Sequence, residues 1–140
     1  MKNLYEVFDE FEEVKTKEER MKVIERNLSQ HLVDTLQYAF HPDFEWKFKK
    51  LPKDYKVPDI PPGMGYTNLS HQLRKFYLFR TGDPRSEQLT DKRREELLIQ
   101  MLESLEPREV EVIIGIFRKD LGVKGLTYSF VKEAFPNLLP

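Results

Sequence analysis

The chain has 140 residues, 39% hydrophobic and 34% charged, with a formal net charge of −1 and no cysteine. That length suits one domain with a sizeable core. The missing cysteines exclude disulfides, thiolate zinc sites and thiol nucleophiles, and the near-neutral balance gives no bulk signature of nucleic-acid binding.

Leu4, Val7, Phe8 and Phe11 fall at i, i+3, i+4 and i+7, which predicts a first helix with one apolar stripe. Thr16 followed by Glu19 has the spacing of a capping box and opens a second helix, with Met21, Ile24 and Leu28 as its expected buried side. A third helix, starting after Asn27 or Ser29 and running to about Phe40, buries Leu32, Leu36 and Phe40. Together residues 1–40 read as a short helical bundle.

From His41 to Tyr66 the pattern breaks. Prolines at 42, 52, 58, 61 and 62 precede Gly63 and Gly65, and aromatic and basic residues interleave from Phe44 through Trp46 and Phe48 to Lys50. This stretch reads either as a short extended segment or as irregular chain packing Phe44, Trp46 and Phe48 onto the bundle. So long an irregular connection is often functional. It also holds the basic excess: residues 41–80 carry 8 basic and 4 acidic side chains, against 6 and 9 in residues 1–40 and 9 and 11 in residues 81–140.

Helical pattern resumes at Asn68, with Leu69, Leu73, Phe76 and Tyr77 on one side, and stops at Gly82-Asp83-Pro84. Thr90 caps the next helix, which buries Leu97, Leu98, Met101, Leu102 and Leu105. Pro107 suits the first turn of another helix, which runs through Val110, Ile113, Ile114 and Phe117 to a stop at Gly122. Thr127 caps a last helix with Phe130, Val131, Ala134 and Phe135, ended by Pro136. The expectation is an all-α, compact bundle of about seven short helices in a single domain, with residues 1–40, the irregular loop 41–66 and residues 67–140 as its parts.

No apolar run approaches the roughly 20 residues that span a bilayer. Acids follow Met1 where a signal peptide would be apolar, so the expected place is the cytoplasm, away from membranes. His31, His41 and His71 are scattered, so no metal and no cofactor is expected. Glu12-Glu13, Glu18-Glu19 and Glu95-Glu96 are adjacent pairs whose members diverge by about 100° on a helix. No catalytic centre is expected, and hence no enzyme.

Ile116 to Thr127 combines a basic helix end, a glycine turn and a capped helix start. Gly122 can take a positive φ, and the free N–H groups after Thr127 would suit a phosphate flanked by Lys119 and Lys124. An ordinary helix end followed by an N-cap accounts for the same residues.

Arg118, Asp120, Leu121 and Gly122, followed by Ala134, Phe135, Pro136, Asn137, Leu138 and Pro140, resemble the end of the N-terminal DNA-binding domain of phage-type ATP-dependent DNA ligases. Phe48-Lys49-Lys50-Leu51-Pro52-Lys53, Gly63-Met64 and Thr81-Gly82 extend the likeness, and small stand-alone proteins of large tailed phages look similar. The resemblance implies an all-α domain that touches duplex DNA through phosphates, with Lys119, Gly122, Lys124, Gly125 and Thr127 in contact and Lys49, Lys50 and Lys53 beside them. The ligase motif Lys-x-Asp-Gly is missing at Lys119-Asp120-Leu121-Gly122, and the sequence reaches Pro140 where that family's catalytic domain would begin, so no ligation is expected. The leading expectation is a non-enzymatic accessory protein, phage-encoded and in the host bacterial cytoplasm, that binds double-stranded DNA in replication, recombination or repair, alongside a replication or repair protein. The alternative is a protein–protein adaptor on the same scaffold. A surface joining Lys49, Lys50, Lys119 and Lys124 would favour DNA, and dispersal of the four would favour the adaptor.

Overall fold

A computed structural model describes residues 2–61 and 64–140. Its helices are α1 (Leu4–Glu13), α2 (Lys17–Arg26), α3 (Gln30–Phe40), α4 (Leu69–Leu73), α5 (Pro84–Glu87), α6 (Asp91–Glu103), α7 (Pro107–Arg118) and α8 (Tyr128–Ala134), with a 3₁₀ turn at Phe76–Phe79. The fold is all-α. Among the described residues the only strand-like pairing is one antiparallel bridge, Trp46 with Arg80. Pro62 and Gly63, part of the expected irregular stretch, lie outside the described residues.

Helix starts follow the capping chemistry of the sequence. The side chains of Thr16, Ser29, Asn68, Thr90 and Thr127 each accept from the N–H three residues on, and Asp83 accepts from Arg85. Asn3 closes a capping box with Glu6. The long α7 forms the centre, packed against α1 and α3, while α1 also packs on α2. Its Ile113 and Ile116 are fully buried, with Leu4, Val7, Phe8 and Phe11 of α1 and Leu32 and Leu36 of α3 in the same core.

The irregular stretch combines the two expected alternatives: it is extended at the Trp46–Arg80 bridge, and its rings pack onto the bundle. Phe44, Trp46 and Phe48 join Tyr38, Phe76, Phe79 and Phe117 in a network of ring contacts at 4.9–6.1 Å. Backbone bonds fix it further: Lys47 N–H donates to Phe79 O at 2.7 Å, Thr81 N–H to Glu45 O at 2.7 Å, and Trp46 Nε1 to Tyr38 O at 3.3 Å. Edge-on ring packing of this kind adds roughly 0.5–1.5 kcal/mol per pair beyond area burial. Trp46 and Phe48 are thus partly buried against the core, while Lys49 and Lys50 face outward.

Several sequence expectations need correction. Leu28 is 51% exposed because α2 ends at Arg26, and Val23 takes its place in the core. The helix from Asn68 is broken after Leu73 and continues as the 3₁₀ turn, so Phe79 is buried and Tyr77 lies under the Arg85 guanidinium instead. A four-residue α5 occupies the expected break at Gly82-Asp83-Pro84. α7 stops at Arg118 rather than Gly122, with Lys119 itself in the left-handed conformation, φ 59°. Past it the chain turns back against the helix: a Cβ at Gly115 would stand 3.0 Å from Leu121 Cα and 3.1 Å from Asp120 O.

Candidate nucleic-acid interface

Lys119 points into the protein. Its Nζ donates to the carbonyls of Tyr38 at 3.0 Å, His41 at 2.8 Å and Phe44 at 2.9 Å. All three ammonium protons are thereby used, and burial pushes its pKa down, with Glu45 opposing. As placed, Lys119 ties α3 and the following turn to the end of α7 and has no donor left for a phosphate.

The glycine turn is also engaged internally. Gly122 N–H donates to Asp120 Oδ1 at 2.9 Å and Lys124 N–H to Glu12 Oε2 at 3.0 Å. These two amides of the turn therefore hold the protein's own carboxylates. Gly125 has φ +86°, and a Cβ there would come within 2.5 Å of Arg20 Nη1, whose guanidinium also sits over the Phe11 ring. Thr127 Oγ1 caps Phe130 N–H at 3.2 Å, at the head of a helix of only seven residues. The side chain of Lys124 is exposed. The turn is thus packed on α1 and α2, and the surface that would have joined Lys49, Lys50, Lys119 and Lys124 is not formed.

A different set of cations converges. Lys50 and Lys53 line a cleft of about 510 Å³ with Arg118 from the end of α7; Leu51, Pro52, Tyr55 and Ile114 complete it. Lys50, Lys53 and Arg118 are exposed, and among the described residues none has a carboxylate partner within 4.0 Å. By contrast Lys47 is paired with Glu87 and Arg108 with Asp9. Lys50 also borders a second cleft, with Lys49, Trp46 and Phe48 on one side and Asp91 and Glu95 on the other. Tyr55, Ile114 and Arg118 continue into a third, about 370 Å³, which reaches Gly122 and is also lined by Glu111 and Asp120.

Of the residues singled out by sequence, Lys49, Lys50 and Lys53 lie together, Gly122 borders the adjoining cleft, Lys124 and Gly125 sit apart against the first two helices, and Thr127 caps the last helix. Arg118 and Tyr55 also line these clefts, and local pattern does not single them out: Arg118 is one basic residue at a helix end, and Tyr55 lies in the irregular loop without periodicity to place it.

Two buried acids lie away from these clefts. Glu109 is 7% exposed and accepts Leu69 N–H at 2.9 Å, and Glu106 at the start of α7 bonds Tyr5. Burial pushes the Glu109 carboxyl up, reinforced by Glu106, and burial with the Glu106 contact pushes the Tyr5 hydroxyl up to about 12. Among the described residues no group of three or more His, Cys, Asp or Glu could hold a metal ion, and no helix is long and apolar enough to cross a membrane.

The profile of a family of unknown function, DUF6433, matches residues 7–123. The chain belongs to that family. In this DUF6433 chain the match takes in Lys49, Lys50, Lys53, Tyr55 and Arg118, and ends before Lys124, Gly125 and Thr127. No curated protein sequence matches it.

Proposed function

We propose that this DUF6433 chain is a non-enzymatic accessory protein that binds duplex DNA through its phosphates, using Lys50, Lys53 and Arg118 with Lys49 alongside. The observation that carries this reading is the convergence of three exposed cations without carboxylate partners from two distant segments on one cleft. Pairing would have neutralised them; unpaired and grouped, they offer a site where a polyanion gains by releasing its counterions. The resemblance to phage-type DNA ligase DNA-binding domains adds the context: a phage-encoded factor of replication, recombination or repair in the host cytoplasm. Lys119 is no part of the contact set on this reading, and the turn at Gly122–Thr127 contributes at most the exposed Lys124.

The test is a salt titration of binding to a labelled blunt duplex. Three phosphate contacts predict a slope of log K against log salt of about −2.7. Absence of binding at low salt, or a slope near zero, overturns the proposal.

A second reading, a protein–protein adaptor, is favoured by the dispersal of Lys119 and Lys124 away from Lys49 and Lys50, and by Val57, Met64 and Tyr66, which are 45%, 68% and 86% exposed on the irregular stretch. It predicts that affinity capture from the native host returns one protein partner equally with and without added nuclease.

A further inference from the structure

The cleft between Lys50, Lys53 and Arg118 has an aromatic wall as well as charge. Tyr55 is half-buried, lines both this cleft and the adjoining one, and among the described residues has no other aromatic ring against it. Pro52, Leu51 and Ile114 supply apolar surface around it. Phosphates on the outside of a duplex need only exposed cations. A partly buried aromatic side chain lining the same open cleft as three cations, with about 510 Å³ of space, leaves room for a planar group next to a phosphate. We infer that this cleft takes a single-stranded DNA segment, one phosphate lying among Lys50, Lys53 and Arg118 while the neighbouring unpaired base stacks on Tyr55. The inference rests on the nucleic-acid reading above and names which form of DNA the same site prefers. Base–aromatic stacking tolerates any sequence because every base has a π face. The path of the strand is limited as well. Asp120 and Glu111, the latter paired with Arg108, line the adjoining cleft along α7 and disfavour a further phosphate there, so the strand crosses α7 rather than running along it.

The test compares fluorescein-labelled oligothymidylate with a blunt duplex of equal length, by fluorescence polarisation at fixed low salt, on the full chain and its variants. Tyr55→Ala is expected to weaken oligothymidylate binding by roughly tenfold and duplex binding by less than twofold. Tyr55→Phe retains binding. Tyr55→Leu, which keeps apolar bulk against the core, loses the same affinity as the alanine variant, separating stacking from packing. Glu111→Gln strengthens oligothymidylate binding. Equal binding of oligothymidylate by Tyr55→Leu and the native chain overturns the inference. If the duplex binds with the expected salt dependence while oligothymidylate does not bind, the inference falls and the duplex reading stands; if neither binds, both fall.

Discussion

Three backbone carbonyls, of Tyr38, His41 and Phe44, converge on one ammonium group, that of Lys119. Bonds from a charged donor are the stronger kind, and removing the donor leaves several partly buried acceptors unsatisfied. Lys119→Met is therefore expected to lower the unfolding free energy by about 1–3 kcal/mol in a urea titration, whereas an exposed lysine exchanged in the same way changes it by less than about 0.5 kcal/mol. Glu109 acts in the opposite sense. Its pKa is raised above the ordinary 4.5 in the folded protein, so the folded state holds a proton more tightly than the unfolded chain does. Stability is then greatest below the ordinary value and falls as pH rises through the raised one. Glu109→Gln keeps an acceptor for Leu69 N–H and removes this fall, so thermal melts from pH 4.5 upward are expected to show a flatter profile than the native chain, with no loss at neutral pH. Neither role was legible in the sequence. A lysine after a helix end and a glutamate in a first turn read as surface, and only the return of distant chain over them reveals burial.

At the scale of elements, most helices were legible because each carries its own stripe and its own cap. The breaks at Leu73 and Lys119 were not, because they are set by tertiary contact: Phe79 turns inward to Phe48 and Phe117, and the chain after Lys119 folds back onto Gly115. The stretch around Phe44–Phe48 has no helical period, yet its partly buried rings pack against those of Tyr38, Phe76, Phe79 and Phe117. Phe117 is its hub, touching Trp46, Phe48, Phe76 and Phe79 at 5.0–5.6 Å. Phe117→Ala is expected to cost roughly 3–5 kcal/mol by chemical denaturation. Because Trp46 is the sole tryptophan and loses a ring neighbour, its emission should shift to longer wavelength in the folded variant. An unchanged emission maximum would show that the stretch is held without Phe117.

For the whole molecule, the aromatic core explains how a near-neutral chain presents a local basic surface. Pro52 is buried and Phe48 and Leu51 partly so, which sets Lys49 and Lys50 outward, and α7 delivers Arg118 to the same cleft as Lys50. Composition showed the basic excess of the middle segment but not its partner, since Arg118 lies far along the chain in a stretch of mixed charge. Within the turn at Gly122–Thr127, the Gly122 N–H is taken by Asp120 in a local Asx turn, and the Lys124 N–H by Glu12 from the distant first helix, which only the tertiary structure sets. The most direct test of the account is the duplex salt titration repeated on the charge-reversed variant Lys50→Glu, Lys53→Glu, Arg118→Glu, with its thermal midpoint measured alongside. The account predicts that duplex binding is lost while the midpoint stays close to native, because exposed unpaired charges contribute little to stability. Native affinity and an unchanged salt slope in a fully folded variant would contradict it.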